Sequence, residues 1–174
     1  YDKFVFNPII KDDILAAKPL DHGHITVYLP QYADDLLAGH FKKIKDARFE
    51  VFSKTAKVVN TDGNITFIPV SNKAFNDSMI GCHGIITGGG FETPAEALYM
   101  GKKLLCIPIQ GQYEQKCNAA AAKDFGVAVL EKIQDDFSQH VNHWLNTPAP
   151  QQLRLTHSTA QIVEGVIKIG RQLI

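Results

Sequence analysis

The sequence predicts an α/β domain: a doubly wound, Rossmann-like parallel sheet of about six strands with helices on both faces. Three observations lead there. Short apolar runs alternate with segments of helical period along nearly the whole chain. The length, 174 residues, suits one domain with a full core. The apolar fraction of 45% is that of an ordinary globular protein.

The elements follow in order. YDKFVFNP opens the chain with a strand-and-turn pattern. NPIIKDDILAAKPLDHGH is more polar and flanked by prolines, and residues 1–20 read as a hinge or linker with a first strand. The main domain is then residues 21–174. Ile25 to Pro30 reads as a buried strand, Gln31 to Ile44 as a helix, and Arg48 to Ser53 as the next strand. Thr61 to Asn64 is a turn in which Gly63 takes positive φ, and Asn64 to Val70 is a strand. Ser71 or Asn72 caps a helix ending near Cys82. A strand at Gly84 to Thr87, a glycine loop and a helix from about Pro94 to Met100 follow, with Gly101 as C-cap. Lys103 to Ile109 is strand, GQYEQ loop, and KCNAAAAKDF helix, ended by Gly126. Val127 to Leu130 is a last strand. Helices at about Asp135 to Leu145 and Ser158 to Leu173 flank the proline-broken NTPAPQQ.

Lysine plus arginine and aspartate plus glutamate each number 18, and there is no basic stripe, which excludes nucleic acid as the main ligand. No apolar stretch is long enough to span a membrane. Cys82, Cys106 and Cys117 lack disulfide or zinc spacing and read as reduced, mostly buried thiols of a cytoplasmic protein. His22 with His24, and His140 with His143, are pairs without a third ligand, so no metal site is assigned. Asp34-Asp35 and Asp135-Asp136 read as solvated acids at helix starts, and Trp144 as the packing residue of the penultimate helix.

ITGGGFETPAEAL, residues 86–98, carries the chemistry. Gly88, Gly89 and Gly90 lie at the carboxyl end of a strand, where open α/β sheets bind ligands, and ahead of a helix N-terminus that favours anions. Thr93-Pro94-Ala95-Glu96 also fits a capping box, with Thr93 at N-cap and Glu96 bonding back. The local pattern leaves a phosphate cradle and a capped turn both open. Thr93 stands where the dinucleotide fingerprint needs its third glycine, and the next strand ends in Cys106-Ile107-Pro108 without an acid. NAD and FAD are therefore disfavoured, and the P-loop pattern is absent.

Residues 84–130 resemble the donor-binding half of GT-B-fold glycosyltransferases, on Gly88-Gly89-Gly90, Glu96-Ala97-Leu98, Gly101-Lys102, Ile107-Pro108, Gln110 to Gln115 and Asn118-Ala119. Within that group GFE-x-x-x-EAL and P-x-x-GQYEQ-x-x-NA resemble the MJ-type and teichoic-acid-biosynthesis-like glycosyltransferases, and more distantly the lipid-linked N-acetylglucosaminyltransferase and the UDP-glucuronosyl transferases. PIIKDDILAAKP and HGHITVYLP extend the resemblance to nearly the whole chain.

The resemblance implies that Thr87, Gly88, Gly89, Gly90 and Phe91 wrap the donor diphosphate, and that Glu96 binds the ribose hydroxyls, a role a carboxylate suits. It places Gln110, Gln112, Glu114 and Gln115 at the donor sugar and Ile68 at the base. The donor implied is a nucleoside diphosphate sugar, with UDP the first choice, and no cofactor is implied. LPQYADD after the first strand departs from the glycine-rich loop of some relatives, and Glu92 is a negative charge beside the expected phosphate site. An N-terminal acceptor-binding domain, the usual source of the general base, is implied to be absent from this chain, leaving it without turnover of its own. The catalytic residues are therefore unassigned, and peripheral attachment to the inner membrane face would come through the other half. A UDP-sugar 2-epimerase-like enzyme and a non-enzymatic nucleotide-binding or protein-interaction domain are the alternatives, with a dinucleotide oxidoreductase weakest.

Overall fold

The computed structural model describes residues 5–156 and 158–172. Its strands are β1 (His24–Tyr28), β2 (Arg48–Ser53), β3 (Asn60–Asp62), β4 (Ile65–Pro69), β5 (Gly84–Thr87), β6 (Lys103–Cys106) and β7 (Ala128–Val129). They form one sheet in the order β3-β4-β2-β1-β5-β6-β7. All pairs are parallel except β3 with β4. The chain winds outward from β1 through β2 to β4, then returns to the other side of β1 as β5 and winds outward again to β7. The strand order therefore reverses between β1 and β5. The crevice at the carboxyl ends of those two strands is where such sheets bind ligands.

The helices are α1 (Asp12–Ala16), α2 (Asp34–Phe41), α3 (Asn72–Gly81), α4 (Glu92–Tyr99), α5 (Tyr113–Lys123), α6 (Phe137–Leu145) and α7 (Thr159–Gln172). Two cores result, one on each face of the sheet. Leu37 and Phe41 of α2 with Phe137, Val141 and Trp144 of α6 cover one face. Residues of α1, α3, α4 and α5 cover the other. Successive side chains of a strand point to opposite faces. Thus Ile86 joins the first core and Ile85 the second, and Leu105 divides from Leu104 and Cys106 in the same way.

Turn chemistry sets several boundaries as expected. Gly63, Gly101 and Gly126 take φ of 66°, 69° and 83°, and the Ser71 hydroxyl accepts from the Ala74 N–H at 3.3 Å at the start of α3.

Five expectations need correction. Among the described residues there are seven strands, because the turn at Gly63 closes a hairpin in which β3 pairs antiparallel with β4. α2 begins at Asp34, not Gln31, because Pro30 to Ala33 form a turn closed by Tyr32 N–H to Leu29 O at 3.0 Å. β6 ends at Cys106, ahead of Pro108. Cys117 is exposed, while Cys82 and Cys106 are buried, and burial pushes their thiols up to about 11 and about 12.

The fifth concerns the first twenty residues. Residues 1–4 lie outside the described residues, residues 5–11 form no strand, and α1 follows. Ile10 and Ile14 are buried against Met79, Ile85 and Leu98, so this segment is part of the core and not a loose connector. Asn7 ties it to the far end of the chain, donating to the Thr156 hydroxyl at 3.1 Å and accepting from the Ser158 hydroxyl at 2.8 Å. Among the described residues no helix is long and apolar enough to cross a membrane.

Candidate functional site

The glycine loop leaves β5 at the point where the strand order reverses. Thr87 is buried at the strand's end and accepts, through its carbonyl, the Ile107 N–H at 2.8 Å. Gly88, Gly89 and Gly90 follow, and Phe91 is already helical at φ −92°, ψ −46°.

The three glycines are needed for different reasons. A Cβ on Gly89 would lie 2.5 Å from the Gln115 carbonyl oxygen, and one on Gly88 3.2 Å from the Gln115 side-chain oxygen. Those two positions are small because the first turn of α5 packs directly on the loop. Gly90 differs: a Cβ there would meet nothing within 4 Å, and its φ is not in the left-handed region. Among the described residues no contact requires a glycine at that position.

Gln115 and Asn118 fasten the loop from α5. The Gln115 Oε1 accepts from Gly89 N–H and Ile109 N–H, both at 3.0 Å, and its Nε2 donates to Gln112 Oε1 at 2.7 Å. Asn118 Nδ2 donates to Gly89 O at 3.2 Å. One of the loop amides, that of Gly89, is thus already used inside the protein.

The capping box is not formed. α4 begins at Glu92, so Thr93 and Pro94 are its second and third residues, and no side chain caps it. Proline is tolerated there because the first-turn N–H groups have no helical partner in any case. Glu92 adds a favourable acid at the first position. Glu96 falls in the second turn, points inward and is 1% exposed. Its Oε2 is 3.2 Å from Lys11 Nζ, and its Oε1 is buried with no partner.

The loop after β1 contributes a residue that sequence reasoning did not single out. Gln31 Nε2 donates to Ile107 O at 3.3 Å, and its own Oε1 is buried without a partner. That carbonyl is 3.9 Å from a Cβ built on Gly88, so the β1 and β5 loops meet at one place. Neither the Gln31 contact nor the Lys11–Glu96 pair had a local signal. They join residues 76 and 85 positions apart.

The other expected residues are dispersed. Gln110, Gln112 and Glu114 are exposed at the start of α5, and Gln110 lines a cleft with Lys116, Lys123 and Glu131. Ile68, half-buried, pairs with Phe52 in β4. β4 lies three strand spacings from β5, about 14 Å, so Ile68 stands apart from the glycine loop. Behind the loop, between α4 and α5, an apolar cavity of about 320 Å³ is lined by Phe91, Leu98, Cys106, Phe125 and Leu155. Of the histidines, His140 pairs with Asp136 at 3.1 Å and His24 with Glu50 at 3.4 Å.

The sheet order, with its switch between β1 and β5 and the glycine loop at that switch, matches one Rossmann-like half of a GT-B glycosyltransferase fold. The family model described as Glycosyl transferase family 1 matches residues 2–148, and the chain belongs to that family. Similar solved structures include the glycotransferase of kitacinnamycin, 12% identical, with a TM-score of 0.62 over 97% of this chain and 45% of that one. The glycosyltransferase VinC, solved in complex with dTDP, is 14% identical, with a TM-score of 0.57 over 92% of this chain and 45% of that one. The spinosyn forosaminyltransferase SpnP is 15% identical, with a TM-score of 0.58 over 92% and 48%. At these identities the likeness is one of fold. The chain spans about half the length of these structures. No curated protein sequence matches it.

Proposed function

We propose that the chain is the donor-binding half of a nucleotide-sugar-dependent glycosyltransferase of the MJ-type and teichoic-acid-biosynthesis-like kind, transferring a sugar to a hydroxyl acceptor held by an N-terminal domain. The observation that carries this is Gly90: an open glycine that the chain itself does not need, beside an uncapped helix N-terminus, at the switch point of the sheet. A diphosphate fits there because the helix start offers N–H donors and the positive end of its dipole. Thr87 to Phe91 would hold the diphosphate, Glu96 the ribose, Ile68 the base, and Gln110 and Gln112 with Glu114 and Gln115 of α5 the sugar. As the glycosidic bond breaks, charge grows on the leaving diphosphate, and the loop amides would stabilise it without reorganising. The general base would come from the acceptor domain, so the half alone would bind and not turn over. The dTDP in the VinC structure makes a nucleoside diphosphate the natural first probe.

The test is calorimetric titration with UDP, dTDP, GDP and NAD, beside Glu96→Ala. Binding of one nucleoside diphosphate, refusal of NAD and at least tenfold weaker binding by the variant are expected. If none of the diphosphates binds, either to the chain or to a longer chain carrying an acceptor domain, the donor reading is wrong.

A further inference from the structure

Glu96 poses a difficulty for any ligand. Its side chain is 1% exposed, so as it stands neither carboxylate oxygen is open to a ribose. Oε1 has no partner, and Oε2 faces the Lys11 ammonium at 3.2 Å. Lys11 comes from the other end of the sequence, at the start of the five-residue α1, which no side chain caps. Its side chain is 44% exposed, and a long flexible stem can swing its head into water. What Lys11 supplies to Glu96 is hydrogen-bond donors on an anionic acceptor, and two vicinal ribose hydroxyls supply the same thing.

We propose that Lys11 is a further residue of the donor site: its ammonium holds the Glu96 carboxylate while the site is empty and is exchanged for the ribose hydroxyls when a nucleotide enters. The proposal rests on the ribose role of Glu96 given above. An interaction present in the empty protein and lost in the complex opposes binding. Removing it weakens the empty protein and tightens the complex by the same factor. Lys11 thereby sets nucleotide affinity without being part of the bound contact.

The experiment uses the whole 174-residue chain and measures UDP affinity by calorimetry and unliganded stability by urea unfolding. The variants are Lys11→Met, Lys11→Gln, Glu96→Gln and Lys11→Met with Glu96→Gln. Lys11→Met is expected to unfold at lower urea when empty and to bind UDP about fivefold more tightly. Lys11→Gln, which keeps a donor without the charge, is expected to lie between it and the parent and stands in if the methionine variant does not fold. In the Glu96→Gln background the Lys11 change should alter UDP affinity by less than about twofold, since its partner is gone. A folded Lys11→Met or Lys11→Gln protein that binds UDP equally or more weakly overturns the exchange. Where the parent binds UDP and Glu96→Gln binds it measurably more weakly, such a Lys11 result sinks the exchange and leaves the ribose role of Glu96 standing. If neither UDP, dTDP nor GDP binds the parent or the Lys11 variants, alone or within a longer chain carrying an acceptor domain, the ribose role of Glu96 fails, and the exchange with it.

Discussion

The two ends of β5 are finished in opposite ways. At its amino end the lysines and His24 are answered, although His40 Nδ1, at the end of α2, is buried without a partner. Lys103 donates to the Leu145 carbonyl at 2.7 Å and to that of Thr147, and its ammonium lies 5.8 Å from the Trp144 ring centre. Lys102 donates to the Cys82 carbonyl at 2.7 Å and to that of Leu20. His24 Nε2 sits 3.2 Å from both the Ser78 hydroxyl and its carbonyl. At the carboxyl end the helix start is uncapped, Gly90 faces open space, and Glu96 Oε1 and Gln31 Oε1 are buried unpaired. A buried polar atom without a partner costs about 1–3 kcal/mol. Of the three such atoms among the described residues, those of Gln31 and Glu96 belong to the elements that follow β1 and β5 at this end.

Substitutions by a single methyl group test that contrast most directly. Gly89→Ala carries the largest expected cost. Its Cβ would collide with a backbone oxygen at 2.5 Å, and the first turn of α5 cannot yield without loosening Gln115 and Asn118. A loss of about 3 kcal/mol or more in urea unfolding is expected. Gly84→Ala should cost somewhat less, about 2 kcal/mol. There the neighbours at 2.8 and 3.1 Å are the Trp144 ring and the Lys103 Cβ, side-chain atoms rather than the backbone oxygen met at Gly89. The folded Gly84→Ala protein should retain its nucleotide affinity, because that glycine lies at the opposite end of β5 from the glycine loop.

The amino end also has a pH signature. Burial holds the His24 imidazole below its ordinary value of 6.5, with Glu50 opposing. In the folded state the neutral form is therefore favoured. As pH falls below 6.5 the unfolded chain takes up a proton before the folded one does, so stability declines across that window. His40, lowered chiefly by burial as well, acts in the same direction. Urea midpoints measured from pH 7.5 to 5 should fall, and His24→Gln should flatten part of the slope. An unchanged slope in that variant would remove His24 from the account.

Most of the architecture was legible from local pattern. β2 is formed by the expected residues, and Gly63, Gly101 and Gly126 take the left-handed conformation for which glycine is the default residue. What local pattern could not settle is which of two sound motifs wins. Thr93-x-x-Glu96 satisfies the capping-box spacing, yet the chain turns helical at Phe91, which carries Glu96 inward to a lysine 85 residues away. The hinge-like segment misled for the same reason. Its prolines and charges read as linker, while Ile10 and Ile14 are committed to the core. Gln115 was visible as a candidate polar residue, but its hold on the Gly89 and Ile109 amides depends on how α5 meets the loop, and no spacing in the sequence encodes that.

Gly90→Ala has the smallest expected effect on stability and decides the most. Space is open at that Cβ and φ is ordinary, so the alanine loses nothing in contacts and restricts the unfolded chain. Stability should be unchanged or raised by up to about 1 kcal/mol. If a diphosphate lies against the loop, the same methyl group occupies its approach, and nucleotide affinity should fall at least tenfold while the urea midpoint holds. The result separates the glycines cleanly, since Gly89→Ala should damage the fold and Gly90→Ala only the site. An alanine at position 90 that changes neither stability nor binding would mean that the open face of the loop meets no ligand, and that its glycines serve only the packing of α5.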